Sequence, residues 1–209
     1  MSQPLLIGIA GGSGSGKTRF GSDLQKSFPV GTVEIFSLDN YYRPQEEQPK
    51  DFEGEPNFDT PESFYQQRLF EDLRSIKLGN ELQVPKYQFN IDRGADPVYI
   101  TVRPTPIVLV EGIFTFYFQE VVDLLELKIF IQAPLWLMMK RRIERDEMER
   151  GYGDMKQTLM RFERHVAPAF NQYILPCREK SDIIIPNHES YDNALSLLRT
   201  YLSARLAEK

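Results

Sequence analysis

The 209-residue sequence holds a single cysteine, Cys177. A lone thiol excludes an intrachain disulfide and a cysteine-built zinc site, and it points to a reducing, cytoplasmic setting. Basic residues are in deficit as well: 25 lysines and arginines face 30 acids, a net charge of −5. A chain of that sign has no global field for gripping nucleic acid, so any anion must meet a local cluster. No apolar run approaches the ~18 residues of a membrane span. The opening Leu5-Leu6-Ile7-Gly8-Ile9-Ala10 is too short for a secretory core with its flanks. Neither a nucleic-acid nor a membrane partner is expected. Internal repeats and low-complexity tracts are also missing. With 41% hydrophobic and 26% charged residues, the composition is that of a globular protein able to bury a core without covalent staples.

Five short apolar runs are present, at 5–10, 33–38, 107–110, 127–131 and 183–185. They are rich in leucine and β-branched residues and lack alternation, which suits strands buried on both faces. Helical patterns at 18–27, 61–77, 135–150, 155–173 and 190–206 lie between them. This alternation predicts an α/β fold with a mainly parallel sheet. Thr60-Pro61-Glu62 reads as a cap followed by proline at the first helical position, with Gly79 at the far end. Two segments interrupt the pattern. Residues 41–57 are polar and proline-rich, predicting an exposed loop. Residues 87–103 read as a β-hairpin, with turn residues Arg93-Gly94 and alternation through Val98-Tyr99-Ile100-Thr101-Val102. Strands of the same sheet follow both segments, so one domain over 1–209 is expected, with a hairpin insertion at about 85–104.

Gly11-Gly12-Ser13-Gly14-Ser15-Gly16-Lys17-Thr18 fits G-x-x-x-x-G-K-[ST], directly after a predicted strand and directly before a predicted helix. Glycines let the backbone curl until successive N–H groups point at phosphate oxygens, and the helix N-terminus adds its dipole. Lys17 then reaches the β- and γ-phosphates, and the Thr18 hydroxyl ligates Mg²⁺. An Asn-Lys-x-Asp guanine-reading stretch and a Leu-Ser-Gly-Gly signature are both missing. Small-molecule kinases and unorthodox NTPases remain.

In open parallel sheets ligands sit beyond the carboxyl ends of the strands. Two runs end there in an acid, Asp39 after 33–38 and Glu111 after 107–110. Glu111 suits a Walker B carboxylate holding Mg²⁺, directly or through water. Asp39 suits a general base that accepts a hydroxyl proton from the acceptor. A cap or solvated loop carboxylate is the plainer alternative for each. Further on, the charged helix from Lys140 to Arg150 places Arg142 and Arg145 three apart, on one face. That pair could grip a transferring phosphoryl group, although Arg–Glu pairing on a solvated helix explains the same pattern. Gly151-Tyr152-Gly153 offers a hinge for a lid at about 140–165.

Several blocks in one order resemble the phosphoribulokinase/uridine kinase family, in its uridine kinase branch, along nearly the whole chain. They are Gly11–Thr18, Ser37-Leu38-Asp39-Asn40-Tyr41-Tyr42-Arg43, Asn57-Phe58-Asp59-Thr60-Pro61, Pro85-Lys86-Tyr87-Gln88-Phe89, Val110-Glu111-Gly112-Ile113, Arg141–Gly151, Pro168-Ala169-Phe170 and Ile183-Ile184-Ile185-Pro186-Asn187. The resemblance implies a P-loop NTPase-type three-layer sandwich and transfer of the γ-phosphoryl group of ATP or GTP to a nucleoside 5′-hydroxyl with Mg²⁺. It makes Asp39 the catalytic base and a metal neighbour, Glu111 a metal partner, and Lys17 and Arg145 catalytic. Asp59 would bind the ribose hydroxyls, while Tyr42, Phe58 and Tyr87 enclose the acceptor. Arg142 would touch the acceptor, and Arg145 and Arg150 the phosphates. A homo-oligomer, tetramer or dimer, is implied too. Four positions depart from the family. Asn90-Ile91-Asp92-Arg93 stands where a base-reading histidine is usual, Tyr152-Gly153 where an arginine is, Arg161 where glutamine is, and Gln132-Ala133-Pro134 where an acid-rich turn is. The two histidines, His165 on a helix face near the lid and His188 in a loop, take no catalytic part in this reading. A pyrimidine nucleoside is the expected acceptor. A sugar phosphate, a pantothenate-like acid, another nucleoside, or a nucleotide-binding regulator without turnover stand as alternatives.

Overall fold

The computed structural model describes residues 3–88, 96–148 and 155–208. β1 (Leu5–Ala10) runs through the glycine-rich loop into α1 (Lys17–Lys26), and β2 (Val33–Ser37) into a 3₁₀ turn over Leu38–Tyr41. After α2 (Gln66–Lys77) come β3 (Leu82–Pro85), β4 (Tyr99–Val102), β5 (Ile107–Glu111), the short α3 (Gln119–Val122) and β6 (Leu127–Gln132). The C-terminal part holds α4 (Leu135–Met148), α5 (Met155–Arg161), a brief α6 (Ala167–Ala169), β7 (Ile183–Pro186) and α7 (Asp192–Ala207). Five strands form one sheet in the order β2-β5-β1-β6-β7, every neighbouring pair parallel.

Because side chains alternate across a strand, each central strand feeds two cores. Leu5, Ile7, Ile9, Ile107, Leu109, Ile129 and Ile131 face Phe20 and Leu24 of α1 and Leu198 and Leu202 of α7. Leu6, Val108, Val110 and Phe130 face the other way, against Leu69 and Leu73 of α2, Met138 of α4 and a set of phenylalanines. These residues are buried on both sides, which is why the runs read as continuously apolar in the sequence. The result is the three-layer α/β sandwich expected.

The structure corrects several boundaries. The helix expected over 61–77 begins only at Gln66. Pro61–Ser63 is a separate 3₁₀ turn, and the Thr60 side chain caps nothing; its hydroxyl meets Ser63 Oγ at 3.1 Å. The hairpin starts earlier than residue 87: β3 pairs antiparallel with β4 from Leu82↔Val102 to Pro85↔Tyr99. Its expected turn at Arg93-Gly94 lies outside the described residues. The segment 41–57 is not simply an exposed loop, since Tyr41 is 2% and Gln48 4% exposed. Tyr41 donates to Asp72 of α2 at 2.9 Å, so the loop's root is part of the core. The helix expected over 155–173 is helical throughout but contains two π turns, Phe162–Val166 and Phe170–Ile174.

Candidate active site

The loop after β1 turns tightly enough to require glycine. Gly14 (φ +81°) and Gly16 (φ +94°) lie in the left-handed region, where a Cβ is strained. A side chain at Gly14 would run into the Met138 carbonyl of α4, and one at Gly16 into the Asn187 side chain. The loop is therefore packed from outside as well as curled from within. Asn187 Nδ2 donates to the Ser15 carbonyl at 2.8 Å, and Arg141 Nη1 donates to the Asn187 carbonyl at 3.1 Å. Ser15 Oγ is buried and has no hydrogen-bond partner among the described residues. A buried hydroxyl in that state suits an oxygen-rich ligand.

Parallel register brings the strand ends together. Ile9 and Ser37 both pair with Glu111, so β1, β5 and β2 finish side by side just below the loop. Glu111 is 3% exposed. Its Oε1 accepts from Ser37 Oγ at 2.7 Å and its Oε2 from Thr18 Oγ1 at 3.2 Å. Burial pushes its carboxyl above the ordinary range, helped by the negative charge of Asp39 and opposed by Lys17 and the two hydroxyls. Asp39 itself stands in the 3₁₀ turn directly after β2, its N–H donating to Ser37 Oγ at 3.4 Å. The structure thus gathers Lys17, Thr18, Asp39 and Glu111 at one place. Two carboxylates and a hydroxyl are hard oxygen donors. They suit Mg²⁺, which keeps several waters and leans on substrate phosphates, better than a metal wanting a full protein cage. No such cage of His, Cys, Asp or Glu occurs among the described residues.

Beyond Asp39 the chain enters an aromatic pocket. The Tyr42 ring packs against Phe64 (4.2 Å between centroids), Tyr87 (5.3 Å) and Phe58 (5.9 Å). Asn40 Oδ1 accepts from the Tyr87 N–H at 3.0 Å, tying the hairpin to the turn that carries Asp39. Asp59 is 8% exposed, its N–H donating to Asn57 Oδ1 at 3.0 Å. The Tyr42 hydroxyl is held well above its usual range, first by burial and then by Asp39, Asp59 and Tyr87; the Arg142 guanidinium pulls it back. All five of these groups therefore converge.

Arg142 sits over the phosphate loop, donating from Nη1 to Ser13 Oγ at 3.0 Å, while remaining close enough to act on Tyr42. Arg145 donates from Nε and Nη2 to Asp146 Oδ1 at 3.2 and 3.1 Å, and Asp146 Oδ2 lies 3.4 Å from Arg142 Nε. A buried carboxylate thus holds both guanidiniums. Arg150 and the Gly151-Tyr152-Gly153 hinge lie outside the described residues, as do Phe89 and the departure at 90–93. Sequence reasoning assigned no role to Ser37, Asp146 or Asn187. The i,i+4 spacing of Arg142 and Asp146 was readable; the other two depend on register and on a contact across 172 residues.

A glycine cradle at the carboxyl edge of a parallel sheet, with acids on the neighbouring strand ends, defines a P-loop kinase-type phosphotransferase. The chain belongs to the phosphoribulokinase/uridine kinase family, whose profile matches residues 6–194. It is 32% identical over 206 residues to uridine-cytidine kinase B of Dictyostelium discoideum, covering 99% of this chain and 84% of that one. It is likewise 32% identical to the uridine kinase of Staphylococcus aureus (strain JH9) over the full length of both. In three dimensions it resembles the structure of a possible uridine kinase from Bacillus stearothermophilus, with a TM-score of 0.64 and 16% identity, over 88% of this chain and 89% of that one. The protein is a small-molecule kinase with a nucleotide as phosphate donor.

Proposed function

We propose that this kinase transfers the γ-phosphoryl group of ATP or GTP to the 5′-hydroxyl of a pyrimidine nucleoside, uridine or cytidine, with Mg²⁺. The observation that carries the reading is the position of Asp39, whose charge acts both on Glu111 at the phosphate side and on Tyr42 at the aromatic side. A base there can take a hydroxyl proton while the hydroxyl oxygen attacks phosphorus in line. The loop amides from Gly11 to Gly16 hold the β- and γ-phosphates, with Lys17 neutralising their charge. Bound Mg²⁺, held by Thr18, Glu111 and Asp39, would supply further neutralisation of the phosphate oxygens. Arg145, with Arg150, meets the transferring group; Arg142, anchored on Ser13, spans the gap to the acceptor. Asp59 accepts from the two ribose hydroxyls, and Tyr42, Phe58 and Tyr87 stack around the base, each contact contributing ~1–3 kcal/mol. The names of the curated relatives favour uridine and cytidine over other acceptors. We further infer that residues 1–209 act as one kinase domain, in the cytoplasm, as a homo-oligomer.

The test is a steady-state screen of nucleosides, sugars and sugar phosphates against ATP and GTP, with and without Mg²⁺. Magnesium-dependent turnover of uridine or cytidine is expected. Faster turnover of a different acceptor, or nucleotide binding with no turnover at all, overturns the assignment.

A further inference from the structure

The 41–57 segment connects the two halves of the proposed acceptor pocket, Tyr42 at one end and Phe58-Asp59 at the other. At its midpoint Asp51 folds the loop on itself: Oδ1 accepts from the N–H groups of Glu53 and Glu55, both at 2.9 Å. Its other oxygen, Oδ2, leaves the loop and meets His165 Nε2 at 2.9 Å, across 114 residues. Both side chains are withdrawn from solvent, His165 at 6% and Asp51 at 8% exposure. Arg164 reinforces the contact from the same helix. Its Nη1 lies 4.0 Å from Asp51 Oδ2, its Nη2 pairs with Glu53, and its guanidinium covers the Phe52 ring at 5.1 Å. The hydrogen bond from His165 is the main reason the Asp51 carboxyl lies below its ordinary range.

His165 lies in the first π turn of the helical run from Met155 to Ile174. Such turns re-aim side chains relative to a regular helix and recur at functional sites. At the far end of that run, Phe170 packs so closely on Gly12 of the phosphate loop that a Cβ there would lie 2.8 Å from its Cδ2. One helix therefore touches the phosphate loop through Phe170 and the acceptor loop through His165.

We propose that the Asp51–His165 pair is a positioning clamp that fastens the acceptor-carrying loop to this helix and so sets how tightly the acceptor is held. In its acceptor half the proposal rests on the nucleoside kinase reading above. Removing a hydrogen bond to a buried carboxylate is among the costlier single changes, which corresponds here to a loosening of roughly tenfold.

The experiment combines hydrogen exchange of residues 44–56 with steady-state kinetics of the full chain. For His165→Phe, which removes the donor but keeps a ring, exchange in the loop should rise roughly tenfold and the acceptor KM likewise. kcat and the KM for ATP should stay within about twofold, a split that general unfolding would not produce. His165→Gln, whose Nε2 can still donate, should restore both values. Asp51→Asn keeps the Oδ1 acceptor for the loop amides but turns the outward atom into a donor, which His165 can meet only in its other tautomer. It should act in the same direction as His165→Phe but more weakly, and adding it to that variant should change little. If His165→Phe does not fold, His165→Leu, which also lacks the donor, carries the same expectation. Unchanged loop exchange and acceptor KM in a folded variant, or an equal rise in the KM for ATP, overturns the clamp. If the wild-type enzyme phosphorylates neither uridine nor cytidine, the function proposed above falls. The clamp is then judged by loop exchange alone, faster exchange supporting it and unchanged exchange refuting it.

Discussion

The phosphate side and the acceptor side of this site are built in opposite ways. On the phosphate side, eight consecutive residues, Gly11–Thr18, meet strand ends whose positions follow from parallel pairing, with Ser37 and Glu111 in register. The groups proposed to hold phosphate there are largely main-chain amides, which every sequence has; glycine only frees them to converge. The proposed acceptor side is assembled from a 3₁₀ turn, a long loop, a hairpin and a helix, and the groups that converge there are side chains: Tyr42, Phe58, Asp59, Tyr87 and Arg142. Phosphate is common to every donor, so a generic cradle serves. An acceptor must be told from others, which takes side chains carried by segments that can vary without unmaking the sheet.

The largest effect should come at Asp39, where the two sides meet. Asp39→Asn is expected to lower kcat by ~10²–10⁴-fold with little change in ATP affinity. ATP affinity is read by titration calorimetry with the Mg²⁺-loaded nucleotide. Near-normal turnover would remove Asp39 from its role as base. Next, Glu111→Gln should reduce Mg²⁺-dependent turnover on the order of 10²-fold. The same change should stabilise the free protein at neutral pH. The carboxyl of Glu111 is raised in the fold, so folding favours its protonated form, and its burden grows as pH climbs from the ordinary carboxylate range through the raised value. A Tm increase of roughly 2–4 °C is expected, the shift about 1 kcal/mol makes at this size. A Tm decrease would show that Glu111 is a structural carboxylate.

Asp59→Ala tests the acceptor side alone: its KM for the nucleoside should rise ~10–100-fold through lost charge-assisted hydrogen bonds while basal ATP hydrolysis is spared. Equal damage to both measurements would erase the division between the two sides. The smallest effect is expected from Ser37→Ala, which removes one donor from Glu111. Loss of a hydrogen bond to the charged form raises its pKa further. The acid limb of the kcat profile should therefore move to higher pH, with only a few-fold loss at neutral pH. An acid limb that stays in place would mean that another group controls it.

The phosphate loop, its flanking strand and helix, and the acids beyond two strands were readable because each depends on neighbours within about eight residues, the reach of strand and turn chemistry. The hairpin was readable as a type but not in its bounds, because Leu82–Pro85 is too short and too exposed to show a period. The helix start at 61 misled for a physical reason: proline after a threonine suits a helix, yet Phe64 is needed in the core and breaks the run before Gln66. Ser37 to Glu111, Asn187 to Ser15, and Asp51 to His165 left no local trace. His165, in particular, has the local pattern of an ordinary helix-face residue; the loop that closes over it lies 114 residues away.

Composition, periodicity and one glycine motif were thus enough to determine that this chain folds as a parallel α/β sandwich and binds phosphate, because burial patterns and backbone turns are written in adjacent residues. How the side chains of the proposed acceptor pocket come together, and what ties their loop to the rest, was decided only in three dimensions. Those contacts, Asn40 to Tyr87 and Asp51 to His165 among them, join segments 47 and 114 residues apart, and their energy exists only once the sheet has brought the segments together.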